Sequence, residues 1–211
     1  MIGFYNYTVY ATYLGFASSV LGIILACSDQ PTGAVVCLLV SGLCDMFDGR
    51  IARTRSRSTK NEKQFGIQID SLSDLVCFGV LPAVIGFSVG MKNWLFYPAM
   101  ILYTLCAMIR LAYFNVTEEE RQSQTDEKRV YYDGLPVTSA ALIFPIFYTL
   151  HEFLPDKWFA VLWAALLLIV AVLFISPIRV RKPGTRALIV ILVCGAAEFA
   201  AVLISRYLLW S

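Results

Sequence analysis

The sequence predicts an all-α, polytopic integral membrane helical bundle, and three observations predict it. Apolar residues make up 58% of the 211 against 15% charged, and the resulting mean hydropathy of +0.68 is far above what a water-exposed surface tolerates. The apolar residues gather into runs of about 20, the length a helix needs to cross about 30 Å of hydrocarbon. The basic residues fall between alternate runs, the asymmetry that orients a membrane protein. Runs this long and continuous read as helices rather than barrel strands, because lipid-facing backbone has to satisfy its own hydrogen bonds.

Seven runs follow one another. The first, 7–27, lacks a basic flank and a small-residue cleavage site, so it reads as a retained span rather than a leader. At its edge Asn6-Tyr7-Thr8 fits a glycosylation acceptor, a tripeptide that arises often by chance. The second run, 32–53, ends among basic residues; the third covers 67–90 and the fourth 94–116. The polar stretch 117–134 reads as a solvated loop with at most one helical turn, and Glu118, Glu119 and Glu120 as its wetted surface. The fifth run, 135–150, is the shortest; 158–176 and 187–209 complete the set, the last carrying Glu198, which needs a partner or a wet cavity.

Pro82, Pro136, Pro145 and Pro155 kink or end their helices. Trp94, Trp158 and Trp210 fit interfacial belts, and His151, the only histidine, reads as a structural residue at the outer interface. No repeat or low-complexity tract divides the chain, so a single domain over 1–211 is expected. The six cysteines lie in or beside apolar runs with no CxxC pair and read as small packing residues.

Orientation follows from charge. Arg50, Arg53, Arg55, Arg57, Lys60 and Lys63 follow the second run, Arg121, Lys128 and Arg129 the fourth, and Arg179, Arg181, Lys182 and Arg186 the sixth. The alternate loops hold only Lys92 and Lys157. The positive-inside rule therefore places the N-terminus and the three basic loops in the cytoplasm, and seven spans would leave the C-terminus outside. No nucleic-acid partner is expected.

Four aspartates interrupt the apolar runs: Asp45, Asp48, Asp70 and Asp74. A carboxylate at the centre of a membrane helix costs on the order of 2.5 to 3.5 kcal/mol, so four of them call for a compensating cation. At about 100° per residue, Asp48 lies about 60° from Asp45, Gly49 about 40° and Ala52 about 20°, which puts all four on one helix face. Gly66, Asp70 and Asp74 rise as an i, i+4, i+8 stripe on the next helix. The small Gly49, Ala52 and Gly66 permit close approach of a helix or ligand. Hard oxygen ligands select magnesium, manganese or calcium, and two divalent ions balance four negative charges. Two ions about 3.5 to 4 Å apart clamp phosphoryl transfer, which points to a phosphate ester or anhydride as substrate.

The string Asp45-Cys-Met-Asp48-Gly49-Arg-Ile-Ala52-Arg53, followed by Gly66-Ile-Gln-Ile-Asp70-Ser-Leu-Ser-Asp74, resembles the CDP-alcohol phosphatidyltransferase signature DxxDGxxAR…GxxxDxxxD at all eight fixed positions. One departure stands out: twelve residues separate Arg53 from Gly66, more than the family usually has. The resemblance implies a six-helix core with one or more further spans, Asp45, Asp48 and Asp70 as metal ligands, and Asp74 as second-metal ligand and general base. It also implies Gly49 and Arg53 as contacts to the CDP portion of CDP-diacylglycerol, room for the nucleotide at Ala52 and Gly66, and a hydroxyl, Thr59 or Ser58, reaching a phosphate. Arg53 suits its role because a guanidinium donates paired hydrogen bonds to phosphate oxygens. A homodimer is implied as well, in the plasma membrane of a prokaryote with the site facing the cytoplasm.

The signature does not name the acceptor alcohol. The segments 70–83, 110–116 and 134–140 resemble the serine-using branch, which implies L-serine as acceptor and makes Arg110 and Asn115 its candidate contacts. Arg110 can pair with the serine carboxylate or snorkel to the interface; Asn115 is a ligand or a helix C-cap. Glycerol 3-phosphate or inositol as acceptor, and at greater distance a cation transporter built on the same aspartates, are the competing readings.

Overall fold

The computed structural model describes residues 9–52, 59–124, 131–181 and residue 200. Helix α1 spans Tyr10–Cys27 and α2 Pro31–Ala52. Helix α3, Lys60–Asp74, passes into a π-helical turn, Leu75–Val80, and continues as α4, Leu81–Ser88. A short 3-10 turn, Trp94–Phe96, leads into α5, Tyr97–Gln124. Helix α6, Ala140–Tyr148, is flanked by 3-10 turns at Val137–Ser139 and Thr149–Phe153, and α7 spans Asp156–Ile175.

Among the described residues, four stretches are long and apolar enough to cross a membrane, Tyr10–Cys27, Gln64–Ser88, Trp94–Arg121 and Asp156–Ile175, and Pro31–Phe47 and Val137–Phe153 are shorter apolar helices. The chain is an integral membrane protein with a helical bundle fold. The seventh expected span, 187–209, lies outside the described residues apart from Ala200, as does Glu198.

The bundle is held in two ways. Helix α1 meets α2 along Thr12, Gly15, Ser19, Gly22 and Ala26, a buried stripe of small residues. A Cβ on Gly22 would stand 2.9 Å from that of Cys37, so the backbones approach as far as glycine allows. With no hydrophobic drive between helices in lipid, such contact and interhelical hydroxyl bonds hold them: Ser19 and Ser41 hydroxyls lie 2.7 Å apart and Ser18 donates to the Cys37 carbonyl at 3.1 Å. Around α5, α6 and α7 the filling is aromatic. Trp163, Tyr103, Phe144, Phe159 and Phe174 are fully buried, with Tyr103 edge-on to Phe144 at 5.5 Å and Phe144 5.2 Å from Trp163.

One expectation is corrected. Residues 117–124 continue α5 rather than looping out, because Thr117 bonds back to the Tyr113 carbonyl at 3.0 Å and Arg121 pairs with Glu118 one turn away at 2.6 Å. The acidic cluster is thus partly engaged in the helix, and Glu119 accepts from Gln64 at 3.3 Å. Beside the helices, Tyr131–Asp133 pairs antiparallel with Arg179–Arg181 in a short two-stranded ribbon. Gly134 follows with φ +78, a conformation open to glycine, and its amide donates to the Ile178 carbonyl. This strand pair ties the chain after α5 to the chain after α7.

The prolines separate into starts and interiors. Pro82 lies in the first turn of α4, Pro136 and Pro155 precede helical turns, and Pro145 sits inside α6. His151 stacks on Tyr148 and lies 3.7 Å from Asp156, a structural setting. Among the described cysteines Cys37, Cys77 and Cys106 are buried, and none of the five forms a disulfide.

Candidate active site

Asp45 lies near the C-terminal end of α2. One turn earlier Gly42 faces α6, where any side chain would collide with the Ala141 Cβ, so α6 seats directly against the aspartate-bearing stretch. On the other side Ser41 is pinned to α1, 2.9 Å from the Gly15 carbonyl. Asp48, Gly49 and Ala52 follow on the same helix, their surroundings outside the described set, and Arg53 and Ser58 lie outside the described residues.

Helix α3 starts at a capping box. The Thr59 hydroxyl accepts the Glu62 amide at 3.2 Å, and a Glu62 carboxylate oxygen accepts the Thr59 amide at 2.8 Å, which satisfies two donors at the helix start. Thr59, expected as a phosphate contact, therefore has a capping task in this structure. From this start Gly66, Asp70 and Asp74 climb one face. A Cβ on Gly66 would meet no described atom within 4 Å, so the glycine leaves open room beside the stripe.

The two helices bring three of the four predicted aspartates together. Carboxylate oxygens of Asp45, Asp70 and Asp74 all lie within 4.8 Å of one another, and the three residues are half-buried. Like charges this close raise each other's energy unless a cation joins them. An all-carboxylate set fits a hard divalent ion.

Beneath the cluster the packing stays polar. Ser73 is buried, with its hydroxyl 3.5 Å from the Thr12 carbonyl, and the Cys77 thiol lies 3.6 Å from the Gly15 carbonyl. Helix α1 thus offers backbone acceptors to the floor of the site.

Helix α5 supplies the remaining wall. Ser71, between Asp70 and Asp74, donates to the Asn115 amide oxygen at 2.9 Å, so the NH2 is what Asn115 can offer a ligand. Because α5 continues to Gln124, Asn115 sits mid-helix and the C-cap reading is overturned. The same helix passes Gly79, whose Cβ would stand 3.1 Å from Ala107, so Arg110 lies at the depth just past Asp74. Its exposure is 8% and its guanidinium carbon lies 5.2 Å from the Phe114 ring centroid. Snorkelling to water is therefore not its arrangement. An intramembrane arginine buried in a bundle is by default a functional-site candidate. The sequence reading missed Ser71 and Ser73, whose only signal was their place inside the aspartate stripe.

A family model described as CDP-alcohol phosphatidyltransferase matches residues 6–176. The chain is 38% identical over 118 residues to the CDP-diacylglycerol--serine O-phosphatidyltransferase of Saccharomyces cerevisiae, covering 54% of this chain and 41% of that protein. It is 26% identical over 208 residues to the enzyme of the same description from Mycobacterium bovis, covering 94% and 71%. It is also 32% identical over 171 residues to an archaetidylserine synthase of Methanothermobacter thermautotrophicus, covering 79% and 65%.

Proposed function

The chain belongs to the CDP-alcohol phosphatidyltransferase family, and from that premise we propose that it transfers the phosphatidyl group of CDP-diacylglycerol to the hydroxyl of L-serine, releasing CMP and forming phosphatidylserine. The observation that carries this reading is the convergence of Asp45, Asp70 and Asp74 from two helices within 4.8 Å, with the buried Arg110 on the helix that meets this stripe through Asn115 and Ser71. The acceptor is read from the relatives, two of which are described as serine phosphatidyltransferases and one as an archaetidylserine synthase.

Asp45, Asp48, Asp70 and Asp74 would hold two divalent ions, Mg2+, Mn2+ or Ca2+. Bound there, such ions supply Lewis-acid polarisation of the phosphoryl oxygens and neutralise charge that develops on them. The protein's own groups do the rest. Arg53 binds phosphate oxygens of the nucleotide, Gly49 and Ala52 leave room for it, and Gly66 opens the facing wall. Arg110 pairs with the serine carboxylate and the Asn115 NH2 supports it, both one helix away from the base. Asp74 accepts the serine hydroxyl proton at a carboxylate oxygen. As the serine oxygen forms its bond to the diacylglycerol-bearing phosphorus, the bond from that phosphorus to the CMP oxygen breaks and CMP leaves with the electron pair.

A single domain in the plasma membrane of a prokaryote, paired as a homodimer with its site toward the cytoplasm, is the arrangement proposed. The basic residues after the second, fourth and sixth runs support that orientation. The test is CMP release by purified protein in CDP-diacylglycerol micelles, with serine, glycerol 3-phosphate and inositol offered separately. Turnover is expected with serine; turnover with either other alcohol and none with serine sinks the acceptor assignment.

A further inference from the structure

The helix carrying Asp70 and Asp74 does not run straight into the membrane. Directly after Asp74 it widens into the π-helical turn Leu75–Val80, closed by the Leu81 amide on the Val76 carbonyl. The α-helix then resumes at Leu81, with its first bond falling on the Val80 carbonyl. Between these two bonds stand the carbonyls of Cys77, Phe78 and Gly79. The amides that could serve them from within the helix are those of residues 82 and 83, and residue 82 is proline, which has none.

Two side chains of α5 meet this shortage. The Tyr103 hydroxyl donates to the Phe78 carbonyl at 2.5 Å, and the Thr104 hydroxyl to the Gly79 carbonyl at 3.0 Å. Tyr103 is fully buried, wedged between Phe144 and Phe174 with ring centroids 5.5 and 5.6 Å away, so its hydroxyl is held in place. The segment beyond is anchored separately: the Trp163 indole N–H donates to the Pro82 carbonyl at 3.2 Å, and a Cβ on Gly86 would stand 2.8 Å from that indole.

A π turn adds one residue and so rotates what precedes it by about 100° relative to an uninterrupted α-helix. With α4 fixed against α7, that rotation decides where Asp70 and Asp74 point. We propose that Tyr103, assisted by Thr104, is a positioning residue for the aspartate cluster: by supplying the donors that Pro82 cannot, it holds the π turn and thereby aims Asp70 and Asp74 at Asp45. This rests on the metal-dependent reading given above, and it adds two residues of α5 that lie nearly two helical turns before Arg110 and outside the predicted site.

The experiment is a Mn2+ titration of the purified full chain, followed by electron paramagnetic resonance, alongside CMP release at saturating substrates. Tyr103→Phe removes one oxygen and keeps the ring. Supporting partners of metal ligands typically alter affinity or activity about 10- to 100-fold when removed; Tyr103→Phe is expected at the lower end, raising the Mn2+ midpoint about tenfold and lowering kcat in step. On a Pro82→Ala background, where residue 82 regains an amide, the same substitution is expected to shift the midpoint less. A midpoint within about twofold of the parent, with only the melting temperature lowered, makes the hydroxyl a plain packing bond and overturns the proposal. Should Tyr103→Phe not fold, Thr104→Val is titrated in the same way, with a smaller shift in the same direction expected and none overturning it. A parent that binds Mn2+ and releases no CMP with serine defeats the functional reading while leaving the Tyr103 result standing.

Discussion

Helices α1 to α3 meet through glycine, serine and cysteine, whereas α5, α6 and α7 meet through rings. The first region carries every predicted metal ligand; the second carries the fully buried Trp163, Tyr103, Phe144, Phe159 and Phe174. The difference is one of solvent. A membrane interior offers carboxylates no water, so helices that hold them must come close enough to satisfy each other's polar atoms, and small residues with hydroxyls permit that. Where no charge is held, bulk is the better filler, since each ring removes a large apolar area and packs edge-on against the next. Chemistry and rigidity are thus divided between two sides of one bundle.

The sharpest break between the regions is expected at Asp74. Asp74→Asn keeps the volume and removes the proton acceptor and a ligand charge, so kcat is expected to fall by several orders of magnitude, about 10³-fold or more, with helix content unchanged. CMP release by variant and parent, compared by circular dichroism for folding, checks it. An active Asp74→Asn protein would show that the cluster is structural.

The opposite signature is expected in the ring region. Trp163→Ala opens a cavity beside Phe144, Phe147 and Phe159, all within 6.0 Å of it, and costs about 3 to 5 kcal/mol of stability. Measured by denaturant unfolding in detergent, the loss should come with a fall in turnover per folded molecule far smaller than that of Asp74→Asn, its source being the lost anchor of the Trp163 indole on the Pro82 carbonyl. Equal loss of both would mean that the two regions are not separable.

Much of this division was legible in the residues, because the cost of a carboxylate in hydrocarbon makes each intramembrane aspartate informative by itself. Asp45, Asp70 and Asp74 meet as the helical spacing predicts, and six of the seven expected runs correspond to described helical segments. The extension of α5 to Gln124 was hidden, since a polar helix end and a polar loop have similar composition. The strand pair 131–133 with 179–181 depends on a long-range pairing that no local pattern carries. The depth of Arg110 also had to wait for the structure: sequence alone allows an arginine near a span end to reach water or turn inward, and the packing of α5 on Gly79 decides for the latter.

That inward turn sets Arg110, together with Asn115, apart from the ring residues of α5, and both are proposed to serve the carboxylate side. Arg110→Lys keeps the charge and loses the planar fork. The KM for serine is expected to rise about 10- to 100-fold, with the KM for CDP-diacylglycerol changed far less. Initial rates over a serine series separate the two constants. An unchanged serine KM would return Arg110 to a packing role over Phe114.

The smallest effect is expected where the carboxylate side holds itself together. The Ser41 hydroxyl lies 2.7 Å from that of Ser19 and 2.9 Å from both the Gly15 and Cys37 carbonyls. With one hydrogen to give, it shares a donation between two helices and accepts from Ser19. Ser41→Ala removes these bonds without opening much space, and interhelical hydroxyl bonds in membranes contribute about 0.6 kcal/mol on average and up to about 1.7. A loss of about 1 kcal/mol in denaturant unfolding is therefore expected, together with a small fall in activity because Asp45 is one turn away on the same helix. If Ser41→Ala instead matched Trp163→Ala in destabilisation, hydroxyl bonding rather than close backbone contact would be the main bond between α1 and α2.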